Sequence, residues 1–319
     1  MLRSFLIFLS KAAWAQRLVT GWKFAWKAAS RFVAGNAIQD AILAVRALNA
    51  NGINVTLDHL GESTTTRAEA IAATEEILNL IDEINSAGVN ANVSVKLTQI
   101  GLALDEGICN QNLDRILARA ALYGNFVRID MEDTLYTDKT IHQYKQMREK
   151  GYSNTGLVVQ AYLFRTKKDV EDLAAYGTKF RLVKGAYKEP AALAYPKKAD
   201  VDANFDLLTS IFIDMTIKSG SPSISTDGRV PPILAVGTHD EKRIQFAKDC
   251  ATKADLPKQA LEFQMLYGIR RDLQNQCHAE GYPVRVYVPY GTHWYPYFMR
   301  RLAERPANVW FFVSNFFRN

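Results

Sequence analysis

The apolar residues of this chain change their spacing in a regular way. Short runs, in which β-branched and aromatic residues alternate with polar ones or crowd together, occupy positions 54–58 (NVTLD), 92–97 (NVSVKL), 126–131 (FVRIDM) and 156–161 (GLVVQA). They recur at 179–184 (KFRLVK), 233–236 (ILAV), 261–264 (LEFQ) and 284–288 (VRVYV). Such runs predict β-strands. Between them, and after the last, apolar positions step by three and four. That period predicts helices near 65–87, 108–123, 138–150, 167–176, 200–218, 240–252, 268–280 and 294–304. Gly88, Gly124, Gly151, Gly177, Gly220 and Gly281 each stand just past a helical run, where helices commonly end.

Eight strands, each followed by a helix, predict an α/β architecture of parallel βαβ units. Eight units close a (β/α)8 TIM-like barrel, here spanning 51–319, with an extra N-terminal helical segment at 1–50. A doubly wound sheet would carry GxGxxG after its first strand, and that fingerprint is missing. The polar, turn-rich stretch 219–232 (SGSPSISTDGRVPP) is predicted to be a surface insertion before the sixth strand.

The N-terminal segment has its own pattern. Leu2, Phe5, Leu6, Leu9, Ala12 and Ala13 fall on one helical stripe, and Trp14, Trp22, Phe24 and Trp26 follow among basic residues. The run SFLIFL is too short to span a bilayer, and Lys11 interrupts it too early for the apolar core of a signal peptide, although Arg3 and Ala13-Trp-Ala15 mimic one. Three readings stand: helices packed on the main domain, a basic amphipathic helix on an anionic membrane surface, or an acidic-poor transit segment.

Charge sharpens this picture. The formal net charge is +6, and Arg3, Lys11, Arg17, Lys23, Lys27 and Arg31 all precede the first acidic residue, Asp40. The remainder is close to neutral, which argues against nucleic acid as a partner. Cys109, Cys250 and Cys277 form no CxxC pair, which argues against a disulfide framework or a zinc site and fits a reducing, cytoplasmic compartment. Sequons at Asn54 and Asn92 lie on predicted strands and carry no weight.

In a barrel of this kind, chemistry collects at the carboxyl ends of the strands. Those ends supply Asp58 with His59, Lys96, Asp130 with Glu132 and Asp133, Gln160, and Arg181 with Lys184. They continue with Thr238-His239-Asp240, Glu262 with Gln264, and Tyr287. Buried polar groups are costly unless paired, so eight polar strand ends together point to a site. Asp58-His59 and His239-Asp240 could ligate a metal, but no further ligand cluster supports one. Lys96, Arg181, Lys184, Arg300 and Arg301 outnumber the plausible buried carboxylates, so the site is expected to take anions. Arg300 and Arg301 end a helix whose face carries Trp294, Tyr297, Phe298 and Leu302. By themselves they suit either a carboxylate clamp or a solvated basic helix end. Three functions remain open on the residues alone. One is oxidation of a small acid with a phosphate-bearing cofactor, another a Schiff-base lyase using Lys96 or Lys184, and the third non-catalytic binding at a membrane surface.

The motifs VTLDHLGE (55–62), SVKLTQIGL (94–102), VRIDMED (127–133), RLVKGAYKEP (181–190), GTHD (237–240), EFQMLYGIR (262–270) and YVPYG with YFMRRLAERPAN (287–308) run in this order along the chain. Together they resemble the proline dehydrogenase family, monofunctional bacterial type, over nearly the full length. The resemblance implies a distorted (β/α)8 barrel that binds FAD without a Rossmann domain. It implies oxidation of L-proline to Δ1-pyrroline-5-carboxylate by hydride transfer from proline C5 to flavin N5. A membrane quinone is then the expected electron acceptor, reached by peripheral contact with the inner face of the cytoplasmic membrane.

Carried onto matching positions, Lys96, Arg300 and Arg301 would clamp the proline carboxylate, and Tyr287 and Tyr297 would wall the ring. Tyr297 would leave little room for a 4-hydroxyl. Arg181 would lie beside flavin N5. Met131, Gln160, Lys184, Gly185, Ala186, Thr238 and His239 would hold the cofactor, the small residues by close backbone approach. Asp130 matches a catalytic position and would orient Arg181 or Lys96. Glu62 would form an ion-pair gate with Arg301. The chain departs from the family pattern in the length of 219–232, in Gly237 where alanine is expected, and in Thr292-His293 where an acidic residue is expected.

Overall fold

The computed structural model describes residues 6, 9–10, 12–20, 23–62 and 64–304. The expectations placed on Leu2, Arg3, Phe5, Lys11, Trp22 and 305–308, and on the side chains of Ala13, Arg17, Lys23 and Phe24, fall outside the described residues.

The elements begin with α1 (Ala13–Thr20), α2 (Lys23–Ala29) and α3 (Ile38–Asn49). Eight strand–helix units follow. They are β1 (Asn54–His59) and α4 (Arg67–Ala87), β2 (Ala91–Val95) and α5 (Glu106–Leu122), β3 (Val127–Ile129) and α6 (Thr134–Glu149), β4 (Thr155–Gln160) and α7 (Thr166–Ala174). The second half comprises β5 (Lys179–Val183) and α8 (Lys198–Lys218), β6 (Leu234–Gly237) and α9 (Glu241–Lys253), β7 (Leu261–Leu266) and α10 (Arg271–Ala279), β8 (Val284–Tyr290) and α11 (Trp294–Glu304). All neighbours pair in parallel and in sequence order, and β8 closes on β1 with Asn54 opposite Arg285. The expected (β/α)8 barrel is the observed fold.

Local chemistry sets the ends of these elements. The Thr66 side chain accepts from the Glu69 amide, and Glu69 reaches back to the start of α4, a reciprocal cap. Asp105, Asp133 and Asp240 cap α5, α6 and α9 in the same sense. Gly88 ends α4 with φ +63, a conformation that costs a residue with a Cβ about 1–2 kcal/mol. The other five glycines singled out from the sequence also take positive φ.

The alternation along the strands divides two interiors. Val55, Leu57, Val93, Val95, Val127, Ile129, Phe180, Leu182, Phe263, Val284 and Val286 join the large apolar core with the surrounding helices. Their alternates point into the barrel and pair between neighbouring strands: Thr56 Oγ1 donates to Asn92 Oδ1 at 2.6 Å, and Arg285 pairs with Glu262, both fully buried. The barrel interior is therefore polar and largely paired, although Arg128 Nη2 is buried without a hydrogen-bond partner among the described residues.

The stretch 219–232 differs from the expected surface insertion, because it seals the amino end of the barrel. Arg285 Nη2 donates to the Gly228 carbonyl at 2.5 Å and Asn92 Nδ2 to the Arg229 carbonyl at 2.8 Å. Arg229 in turn donates to the carbonyls of Tyr123 and Val89. Unspent donors at the strand starts hold this loop in place.

Described residues of the N-terminal segment pack on α11. Leu6, Ala15, Ala25, Ala29, Phe32 and Val33 form a second apolar cluster with Trp294, Tyr295, Phe298, Met299 and Leu302. Trp26 lies 5.6 Å from Trp294, and Tyr295 donates to the Leu9 carbonyl at 3.0 Å. Trp14 stays 61% exposed, so packing leaves it available to another surface. Among the described residues no helix is long and apolar enough to cross a membrane.

Candidate active site

Strands from all sides of the barrel deliver one charged cluster to its carboxyl end. Lys96, just past β2, places Nζ 3.1 and 3.0 Å from the two carboxylate oxygens of Asp58 on β1. The same ammonium donates to Asp130 Oδ2 at 3.3 Å and to the Tyr287 hydroxyl, on β8, at 3.1 Å. Asp130, just past β3, is the hub. Its Oδ1 accepts from Ser94 at 2.6 Å and from Arg181 Nη1, on β5, at 3.0 Å, while its Oδ2 accepts from Tyr287 at 2.8 Å. Arg181 Nε donates to Gln264 Oε1, on β7, at 2.5 Å. That leaves Arg181 Nη2 without a hydrogen bond among the described residues.

A carboxylate links this base to the last helix. Glu62 accepts from Arg300 Nη2 at 2.7 Å and Nη1 at 3.1 Å, a forked pair, and lies 3.9 Å from Lys96 Nζ. The expected gate partner was Arg301, and the structure pairs Glu62 with Arg300 instead. The reason is helical phase: consecutive residues point about 100° apart, so only one of two neighbours can face β1. Arg301 is buried with its guanidinium 5.0 Å from the centre of the Tyr297 ring. A solvated basic helix end is thereby excluded for this pair.

The expected excess of cations is also corrected. Asp58, Asp130 and Glu62 meet Lys96, Arg181 and Arg300, and Asp202 and Asp240 meet Lys184, so these five carboxylates equal the five expected cations, Arg301 included. Removing one member of such a buried pair typically costs about 3–5 kcal/mol.

Burial and charge set the protonation states. Burial raises the Asp58 carboxyl, Lys96 pulls it back and Asp130 adds to the rise, leaving it at about 6. Burial also acts on Asp130, but Lys96 and Arg181 outweigh it and hold that carboxyl below the ordinary range. For Lys96, burial lowers the ammonium, yet Asp58, Tyr287 and Asp130 together raise it well above its usual value. Burial lifts the Glu132 carboxyl to about 7, against hydrogen bonds from the Thr98 amide and hydroxyl. Burial likewise lifts Tyr287, with Asp130 and Asp58 reinforcing it.

One cavity opens beside the Glu62–Arg300 pair and another past the carboxyl end of β6. One of about 780 Å³ is lined by Glu62, Ala186, Tyr187, His293, Tyr297 and Arg300. The other, of about 750 Å³, is lined by Asp202, His239, Asp240, Arg243 and Arg270 at the ends of β6 and α8. Of the residues expected at a cofactor site, Ala186 lines the first cavity and His239 the second. Met131 and Gln160 are buried, the latter donating to the Glu132 carbonyl at 2.9 Å. Lys184 is held by Asp202 at 2.5 Å and Asp240 at 2.6 Å. Thr238 Oγ1 accepts from the Asp240 amide, and His239 Nε2 accepts from the Leu266 amide at 2.9 Å. Gly185 is required to be glycine by its own backbone and neighbour. It takes φ +116, and a Cβ there would overlap the Tyr162 ring. No group of three or more His, Cys, Asp or Glu residues fit to hold a metal occurs among the described residues.

Sequence reasoning missed Ser94, which shares Asp130, and Tyr187, which lines the cavity beside Glu62 and Arg300. Both sat inside quoted motifs, and the inward alternation of β2 was the signal that could have singled out Ser94.

A closed eight-stranded parallel barrel, with a paired acid–base cluster at the strand carboxyl ends and a forked arginine above it, defines a TIM-barrel enzyme of small-molecule chemistry. The family model described as "Proline dehydrogenase" matches residues 41–313. The chain is 40% identical over 309 residues to "Proline dehydrogenase 2" of Bacillus subtilis, covering 97% of this chain and 96% of that protein. It is 43% identical over 293 residues to "Proline dehydrogenase" of Deinococcus radiodurans, covering 91% and 90%. Among solved structures, proline utilization A from Bdellovibrio bacteriovorus, inactivated by N-propargylglycine, matches with a TM-score of 0.78 and 26% identity. That match covers 88% of this chain and 33% of the other. The chain belongs to the proline dehydrogenase family and aligns nearly end to end with monofunctional bacterial members. It is an oxidoreductase acting on proline.

Proposed function

We propose that the protein oxidises L-proline to Δ1-pyrroline-5-carboxylate using bound FAD, and that its electrons pass to a membrane quinone. The observation that carries this reading is the shared carboxylate. Lys96 and Arg300 already converge on one carboxylate, that of Glu62, directly beside Tyr297. The proline carboxylate takes that place when substrate binds, with Arg301 completing the clamp, and Tyr287 and Tyr297 lie against the ring. Tyr297 disfavours a 4-hydroxyl by lack of room. Glu62 acts as the gate: it closes the empty site by holding the Arg300 fork and swings off it to admit the substrate carboxylate.

FAD fits the donor set. Arg181 presents a buried guanidinium with one nitrogen unspent, and Lys184, His239, Arg243 and Arg270 line or border the second cavity. Met131, Gln160, Arg181, Lys184, Gly185, Ala186, Thr238 and His239 are the residues assigned to hold it. Bound flavin supplies the acceptor, at N5, for hydride from proline C5. The chain's own contribution is positioning: Asp130 orients both Lys96 and Arg181, so one ammonium of the substrate clamp and the cation assigned to the flavin share one anchor.

The Schiff-base alternative loses support at Lys96. An amine nucleophile must be neutral, and its acidic neighbours keep this one protonated. We assign residues 51–319 to the catalytic barrel and residues 1–50 to a segment that packs on it and presents Trp14 to the inner face of the cytoplasmic membrane, where quinone resides.

The deciding experiment is an absorption spectrum of purified protein with and without L-proline under anaerobic conditions. A flavin spectrum that bleaches on adding proline is expected. A colourless protein, or substrate trapped by borohydride, overturns the reading.

A further inference from the structure

Beneath the cluster, a single file of polar side chains continues down the barrel axis. Gln264 Oε1 accepts from Arg181 Nε, and its Nε2 donates to Glu262 Oε2 at 2.5 Å. Glu262 accepts from Arg285 Nε at 3.0 and 3.2 Å, and Arg285 Nη2 ends on the Gly228 carbonyl of the segment that seals the barrel. Glu262 and Arg285 are fully buried, and Gln264 is 5% exposed. The file therefore joins the amino end of the barrel to Asp130 at the other.

Its direction is fixed by chemistry. Arg181 Nε–H can only donate, so the Gln264 amide turns its oxygen toward Arg181 and its NH2 toward Glu262 Oε2. Arg181 Nε–H then has a single acceptor in a single place, while Nη1 is held by Asp130. Two acceptors on different edges of one planar guanidinium fix both its position and its plane.

We propose that Glu262 and Gln264 are positioning residues for the reaction: together they set the plane of Arg181 and so aim its remaining nitrogen, Nη2, at the flavin. The proposal rests on the functional reading given above, in which Arg181 lies beside the cofactor. Neither residue touches substrate.

Two variants test it. Gln264→Met keeps the volume and removes both hydrogen bonds. It should lower kcat for proline roughly 10- to 100-fold, the scale of a misplacement near 1 Å, while KM moves less than about threefold because the carboxylate clamp is untouched. Gln264→Glu restores the relay only while the pair of carboxyls at 262 and 264 keeps a proton. The introduced side chain, when protonated, donates to Glu262 and accepts from Arg181 as the amide does. The charged groups around that pair are Arg181 and Lys179 from β5, Arg128 and Asp130 from β3, Arg285 from β8, and Glu262 on the same strand. Activity of Gln264→Glu should therefore approach wild type at low pH and fall as pH rises through the pair's titration, a limb absent from wild type.

A readout independent of turnover is the Arg181 Nε–H resonance in protein labelled with 15N-arginine. It should lie far downfield in wild type and lose that shift in Gln264→Met. Turnover of Gln264→Met within about threefold of wild type with the resonance unmoved overturns the proposal. So does a Gln264→Glu profile that matches Gln264→Met at every pH. Should Gln264→Met fail to fold, the Gln264→Glu profile against wild type decides alone. Absence of flavin bleaching in wild type would overturn the proposed function but leave the Arg181 resonance to judge the relay.

Discussion

Arg300 and Glu62 show how much rests on single side chains here. The guanidinium fork holds a carboxylate whether it comes from the protein or from a substrate, so the two residues should respond oppositely to truncation. Arg300→Ala removes a charge-assisted fork worth about 2–5 kcal/mol, and kcat/KM for proline should fall at least roughly 30-fold with flavin retained. Glu62→Ala frees the fork from its internal competitor, so KM for proline should fall. Dye-coupled steady-state kinetics on both variants measures this, and unchanged parameters in Glu62→Ala would remove the gate. Glu132 carries a different consequence. Its carboxyl sits at about 7 in the fold against 4.5 for an ordinary glutamate. The folded state thus binds more protons than the unfolded one across that window, and stability must fall as pH rises from about 4.5 to 7. Glu132→Gln should flatten that part of a melting-temperature series against pH, because an amide keeps the Thr98 contacts and cannot ionise.

At the level of elements, α11 has two faces with two duties. One carries Trp294, Phe298 and Leu302 into the cluster with the N-terminal helices, and the other brings Tyr297 and Arg300 over the barrel mouth. Fixing the first face holds the second in register, so α1 and α2 act on the site through packing. Deleting the whole segment would expose the apolar face of α11 and confuse membrane contact with instability. Trp14 separates them, since it is 61% exposed. Trp14→Glu should weaken binding to anionic liposomes about tenfold, the effect of replacing one interfacial aromatic by a charge, while melting temperature stays within experimental error. Equal liposome binding by wild type and variant would count against a membrane role for this helix.

For the molecule as a whole, the polar axis is both a scaffold and a liability. Buried charges require pairing, and the 219–232 segment supplies carbonyl acceptors for Arg285 and Asn92 at the amino end. Gly228 is the tightest point of that seal, with φ +68 and no space for a Cβ beside Asn54 Oδ1. Gly228→Ala should therefore destabilise the protein by about 1–3 kcal/mol, read as a lower urea midpoint with little change in KM. Much of this architecture was legible in the sequence. The eight-unit barrel, its helix ends and the polar strand ends at Asp58, Lys96, Asp130, Arg181, Gln264 and Tyr287 all follow from periodicities of about two and 3.6, which are local properties of a chain. The motifs, read in order, pointed to the family. Only the tertiary structure could decide which partner each charge meets. Whether Glu62 faces Arg300 or Arg301 depends on the phase of α11 against a loop far earlier in the chain. Whether the strand-end cations are in excess depends on carboxylates brought in from other strands. That 219–232 plugs the barrel depends on unspent donors at the strand starts. Local pattern fixes where a side chain points along its own element, whereas electrostatic and hydrogen-bond partners across the barrel are set by closure of the sheet.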